Sequence, residues 1–407
     1  MAQTSEEYEH LDGSEEISEE KKDLGAGAAD EDTDHDGALA RRQTRILDAC
    51  KRRDIEDLQA LAISRDGFLN DAMRRHAWPI LLGFHVDENG EWKGASDSWR
   101  GLVRHRDESQ VKLDVDRSFV YYPHEPTQAE LDKKRTELSD LITEVLRRQP
   151  YLCYFQGYHD ICQVILLVLP ASARAKAMVR LSALRIRDFM LPTLAPAVAQ
   201  LRLIPDILYT VDPELCSHLS RIEPYFALSD TLTMFAHNVQ QYGDIARLFD
   251  VLLAREQVFS LYIFAQIVLN RRKELTELDE PDMLHYTVSK LPKDLDIEAV
   301  IADAARLFQA HPPETLRSWR SISKASALKT ARDVRACARQ KTKDGRAFFE
   351  TQLKEMHWAE RRQKALKAVW VNRRIILAVA VAASAVYFRR APIWSNIVAW
   401  STPAHHR

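Results

Sequence analysis

PTQAELDKKRTELSDLITEVLRRQP, residues 126–150, is the stretch on which the fold class turns. Leu131, Leu138, Leu141, Ile142, Val145 and Leu146 recur at the intervals that place side chains on one face of an α-helix. Thr127 with Glu130 three residues later forms a capping box, in which each side chain satisfies a backbone N–H that the first turn leaves free. Pro126 precedes the box, and Pro150, which has no N–H to donate, closes the segment. The stretch predicts one long amphipathic helix.

The same period extends outward in both directions. Ile46, Leu47, Cys50, Ile55, Leu58 and Leu61 follow it on the N-terminal side. Leu248 to Leu269 reads as a core helix, since Asp250, Arg255 and Glu256 interrupt it and each ion in hydrocarbon costs about 2.5–3.5 kcal/mol. Ile161 to Leu169 is too short to cross a bilayer and also reads as core. Alternating strand-like runs bounded by turn residues are missing, and no repeat of solenoid length appears. With 12 glycines in 407 residues and 46% apolar composition, the expected fold is a single all-α domain over residues 38–315.

The ends differ from the middle. Net charge is only −2, yet residues 1–36 hold 14 Asp/Glu against two Lys, while 317–374 hold 17 Lys/Arg against five Asp/Glu. Residues 1–37 have almost no large apolar side chain and read as a disordered acidic tail, either solvating or partner-binding. This start fits neither a signal nor a transit peptide. The five cysteines are scattered and form no CxxC pair, which excludes a disulfide frame or zinc site and points to a reducing compartment.

Residues 316–374 read as a basic helical arm, suited to RNA or to anionic lipid headgroups; its position before an apolar run favours lipid over nucleic acid. That run, Ile375 to Phe388, has no charge and is bracketed by Arg373-Arg374 and Arg389-Arg390. It is short for a span, but flanking arginines snorkel, and Trp370, Tyr387 and Trp394 sit where interfacial aromatics belong. The expectation is a membrane anchor over 375–392, a short tail over 393–407, and the main domain on the cytosolic side. A buried terminal helix is the alternative.

GxxxxGK[ST], HExxH, GxSxG and a strand-linked GxGxxG are all missing. His124-Glu125 and His159-Asp160 read as isolated pairs at helix ends or the surface. The sequence predicts no metal and no cofactor of the chain's own. Three short segments remain: Arg75-His76-Ala77-Trp78-Pro79-Ile80-Leu81-Leu82-Gly83, Leu113-Asp114-Val115-Asp116-Arg117, and Tyr154-Phe155-Gln156-Gly157-Tyr158-His159-Asp160-Ile161. In order and spacing they resemble the R-x-x-W-x-x-L-L-G, I-x-x-D-x-x-R and Y-x-Q-G signatures of the TBC domain of Rab GTPase-activating proteins. Leu248-Phe249-Asp250 resembles the family's later L-W-D helix. The likeness covers roughly residues 45–290.

The resemblance implies stimulation of GTP hydrolysis on a Rab-family small GTPase, which itself binds the GTP and Mg. Arg117 matches the arginine finger and Gln156 the glutamine finger that stands in for the GTPase's own glutamine. Around them, Asp114 is expected to hold Arg117 extended, Tyr154 to pack beside the switch regions, and Gly157 to permit close backbone approach. Arg75, Trp78 and Gly83 are expected to be structural, with Trp78 at a helix junction and Gly83 ending a helix. The segment 156–161 together with an anchor resembles the endoplasmic-reticulum branch of the family, whose substrate serves ER-to-Golgi traffic. Asp116, where many members have proline, keeps open a catalytically weak Rab-binding membrane scaffold.

Overall fold

The computed structural model describes residues 26–94, 98–123 and 126–390. The expectations for residues 1–25, His124-Glu125 and residues 391–407 lie outside the described residues. The chain opens with α1 (Ala26–Arg52), α2 (Ile55–Ile63), α3 (Asp71–Leu81), α4 (Glu108–Val115), α5 (Gln128–Arg148), α6 (Tyr158–Val168) and α7 (Ala171–Leu184). Further helices follow to Arg390, and no strand occurs among the described residues. The fold is all-α.

Local sequence sets the helix starts. Asp54 and Asn70 accept the N–H groups of Asp57 and Met73 in the first turns of α2 and α3. The Thr127–Glu130 box is present in both directions, and α5 buries Leu138, Leu141, Ile142, Val145 and Leu146 as its periodicity requires. α6 lies among α3, α4, α5 and α7. It is buried on almost every side, which explains an apolar run without a polar face.

Two expectations about elements change. Leu248 to Leu269 is not one helix: Tyr242–Ala254 ends at Arg255, and a second helix runs Phe259–Asn270. Arg255 and Glu256 occupy the break, where Arg255 pairs with Glu256 at 2.9 Å and lies over the Phe259 and Phe308 rings at 4.6 and 4.7 Å. An unbroken helix would have carried both charges through the core. At the other end, α1 begins at Ala26, inside the segment expected to be a tail.

The largest correction concerns the boundary at residue 315. Leu316, Trp319, Ile322, Leu328 and Val334 are buried in the same core as the helices before them. Buried arginines fasten this extension. Arg180 Nη2 donates to the Ala338 and Gln340 carbonyls at 2.9 and 3.0 Å, and Arg187 donates to the Ala325 carbonyl and the Thr330 hydroxyl. The helix Thr342–Val371 then lays its first turns along α7. Gly345 permits this, since a Cβ there would stand 2.3 Å from the Ala183 carbonyl oxygen. High charge concealed these apolar residues in the sequence, because the basic groups engage the domain: Arg332 pairs with Glu256 and Glu314, and Arg335 with Glu56.

Beyond Met356 the helix leaves the body of the protein. It bends by 71° into the helix Arg373–Arg390. No single helix among the described residues is long and apolar enough to cross a membrane; this bent pair together meets the length and composition.

Candidate functional site

α4 and α6 place the two expected fingers. Arg117 follows the last turn of α4, where Asp116 is the C-cap, and Gln156 precedes α6, whose N-cap is Gly157. Side chains from each segment reach across to the other. Tyr154 Oη donates to Asp114 Oδ2 at 2.8 Å, the Phe119 N–H donates to buried Gln163 Oε1 at 3.0 Å, and the Tyr154 N–H donates to Asp107 Oδ2 at 2.9 Å. The loops that carry Arg117 and Gln156 are cross-braced.

Asp114 is the hub of this bracing. It is fully buried, and its Oδ1 accepts from Arg117 Nη2 at 2.5 Å and from Gln110 at 3.3 Å. Its other oxygen takes the Tyr154 hydroxyl. A buried carboxylate with this many donors is held in place, and it limits the rotamers of the cation it holds. The Arg117 side chain stays 56% exposed. Gln156 is exposed too, and no hydrogen bond ties its amide to another described residue.

Both side chains line one cleft of about 800 Å³. Val120, Tyr121 and Tyr225 are exposed apolar residues of its lining, to which Leu228, Thr233 and His237 also contribute. Phe119 adopts φ +65°, a left-handed conformation that turns the chain sharply just after Arg117. Asp116 is exposed but does not line the cleft.

Asp114 holds Arg117 as expected and, being fully buried, acts from behind it. Two expected roles shift. Tyr154 is half-buried and spends its hydroxyl on Asp114; burial and that carboxylate push its phenol well above the usual value. Gly157 is buried at φ +98°, and a Cβ there would stand 2.6 Å from Thr233 Cγ2. Its requirement for glycine is internal.

The first motif also reads differently. Trp78 is fully buried and donates its indole N–H to Asp250 Oδ1 at 2.8 Å. The arginine beside it on that carboxylate is Arg74, not Arg75: Arg74 Nε and Nη2 lie 3.0 and 3.2 Å from the two oxygens. The Phe68 N–H completes the set at 3.1 Å. Arg75 is exposed and caps the Val168 carbonyl at 3.1 Å. Gly83, at φ +81° just beyond the end of α3, terminates the helix and leaves room for the Ala338 carbonyl.

His159-Asp160 is not an isolated pair. His159 is buried with its pKa lowered by that burial, and its Nε2 lies 3.2 Å from Asp160 Oδ1. Asp160 Oδ2 lies 2.9 Å from His237 Nδ1, and this hydrogen bond raises the His237 pKa. The sequence gives no sign of His237 or Gln163, each contributed by packing. Among the described residues no cluster of His, Cys, Asp and Glu suits a metal.

The profile of the Rab-GTPase-TBC domain matches residues 71–276, a span that includes Arg117, Gln156, and Asp250 with its partners Arg74 and Trp78. The GTPase-activating protein gyp10 of Schizosaccharomyces pombe is 35% identical over 310 residues, 74% of this chain and 81% of that protein. The human TBC1 domain family member 20 is 32% identical over 297 residues, 72% of this chain and 73% of its own length. The crystal structure of the Ypt/Rab-GAP domain of Gyp1p superposes with a TM-score of 0.51 at 15% identity, covering 67% of this chain and 99% of that domain. A Chlamydomonas flagellar RabGAP TBC domain gives 0.52 at 13% identity, covering 69% and 94%.

Proposed function

Because the chain belongs to the Rab-GTPase-TBC domain family, we propose that it stimulates GTP hydrolysis on a Rab-family GTPase by inserting Arg117 and Gln156 together at the nucleotide. The observation that carries this reading is the shared cleft: one fixed cation and one free carboxamide, both exposed, on loops braced to each other.

Hydrolysis by a small GTPase is slow because charge on the transferring phosphoryl group is incompletely neutralised and the attacking water poorly held. A guanidinium from outside addresses the first defect, worth about 10³–10⁵ in rate or roughly 4–7 kcal/mol of barrier. Arginine keeps its charge and meets phosphate oxygens with a planar fork. The Gln156 amide addresses the second defect, accepting a hydrogen bond from the water while donating another, without becoming charged. The exposed apolar residues Val120, Tyr121 and Tyr225 supply a docking surface for the partner's switch segments. Asp116, the one feature that favoured a catalytically weak scaffold, stands outside the cleft lining.

The cytosolic domain would act from a membrane. The apolar run 375–388, its arginine brackets and the bent helix pair support an anchor, and the basic residues before it support contact with lipid. The resemblance of residues 156–161 to the ER branch supports a role in ER-to-Golgi traffic.

Single-turnover GTP hydrolysis across a panel of purified Rabs, with and without the full-length protein, tests the function. At least one Rab should be accelerated by orders of magnitude. Tight Rab·GTP binding with unchanged hydrolysis for every Rab would instead establish a scaffold.

A further inference from the structure

The helix Thr342–Val371 changes character along its length. Gly345, Phe349 and Gln352 are buried against the domain, with Leu353 and Met356 packed beside them. Past Met356 every residue to Val371 is exposed, including Trp358, Leu366, Val369 and Trp370. Large apolar side chains left in water on a projecting helix call for an explanation.

Their placement supplies one. At about 100° per residue, the nine residues from Phe349 to Trp358 amount to two and a half turns, so Trp358 points away from the domain. Ala365, Leu366 and Val369, spaced seven, eight and eleven residues after Trp358, fall along that outward side. Arg361 and Arg362 flank them on that side, Arg362 folded over the Trp358 ring, while Lys364, Lys367 and Trp370 continue the inward, domain-facing side. Residues 356–374 contain six Lys/Arg and one acid, Glu360. Two of the arginines lie on the indoles: Arg362 at 5.6 Å over Trp358 and Arg373 at 4.6 Å over Trp370. An indole with a guanidinium on it suits the boundary between acyl chains and phosphates, where ring and cation each find a partner.

We propose that residues 357–371 lie in the plane of an anionic phospholipid bilayer, with Trp358, Leu366 and Val369 immersed and Lys364 facing the cytosol. The 71° bend after Val371 then turns an in-plane helix toward the bilayer interior, as a helix passing from interface to hydrocarbon must turn. Because the first half of the same helix is packed on α7, the catalytic domain rides rigidly on the face opposite the lipid, not on a loose tether. The inference rests on the reading of residues 375–392 as an anchor.

Photo-crosslinking separates the two. p-Benzoylphenylalanine is placed singly at Leu366, Val369, Lys364 and Val381 in the full-length protein, reconstituted in phosphatidylcholine vesicles containing phosphatidylserine. The expected result is lipid adducts at 366, 369 and 381, none at 364, and a several-fold lower yield at 366 and 369 when phosphatidylserine is omitted. Adducts at 381 alone leave the anchor standing and overturn the in-plane helix. Labelling at 364 equal to that at 366 overturns it too, since the helix would then be immersed all round. Labelling that ignores phosphatidylserine overturns the anionic surface as its partner, and labelling nowhere removes the anchor itself.

Discussion

Arg117→Ala is expected to abolish nearly all stimulated hydrolysis, a loss of about 10³–10⁵-fold in single-turnover rate, while leaving the protein folded. The two halves of that statement have separate causes. The guanidinium is more than half exposed, and the carboxylate it holds, Asp114, keeps the Tyr154 hydroxyl and the Gln110 amide as donors when the arginine is gone. Loss of the ion pair therefore costs about 1–2 kcal/mol, a fraction of the stability of a typical domain. Arg117→Lys should recover little, because an ammonium lacks the planar fork that reaches several phosphate oxygens and the Asp114 carboxylate together. Rate measured on the responsive Rab, beside circular dichroism and a denaturant midpoint, checks both halves.

Asp250→Ala should have the opposite profile, destabilising the fold by about 3–5 kcal/mol. Removing this fully buried carboxylate leaves Arg74 Nε and Nη2, the Trp78 indole N–H and the Phe68 N–H without their acceptor in the core, with Asp71 still on Arg74 Nη1 at 2.9 Å. Those donors join α3 to the helix Tyr242–Ala254, so the loss loosens the base on which the site rests. Arg74→Ala should cost nearly as much, since it strands the carboxylate. Arg75→Ala should cost about 1 kcal/mol, having one carbonyl partner in a part-buried setting. Guanidinium unfolding of the three variants ranks them. A large effect at Arg75 with a small one at Arg74 would contradict the assignment.

Arg74 and Arg75 also mark the limit of what a local pattern can carry. They stand four and three residues before Trp78, and either spacing places an arginine beside the indole on a helix. Only the position of Asp250, 176 residues from Arg74, decides between them. The α5 helix was legible because its cap, its stop and its apolar face all lie within one segment. Arg117 and Gln156 each belong to a short local motif in a fixed order, and the structure brings the two to one cleft. His237, brought to Asp160 from 77 residues away, has no local pattern to betray it. The extension past residue 315 failed for a related reason: its charges advertise a surface, and their acidic partners at Glu56, Glu256 and Glu314 are supplied by distant parts of the chain.

Gly157 and Asp114 add a further lesson. The sequence marks both as special, and both are, but for the interior: one clears Thr233 and the other anchors a cation from below. Residues around the cleft divide into those that are exposed and those that hold them, and exposure separates the classes where motif matching does not.

The most direct test uses a responsive Rab whose own switch glutamine has been changed to leucine, assayed with the wild-type protein and with Gln156→Ala. If Gln156 positions the water, the altered Rab remains strongly stimulated by wild type, and Gln156→Ala lowers that stimulation by about 10²-fold or more. A Rab that stops responding once its own glutamine is lost, together with a Gln156→Ala protein as active as wild type, would contradict the paired action of residues 117 and 156.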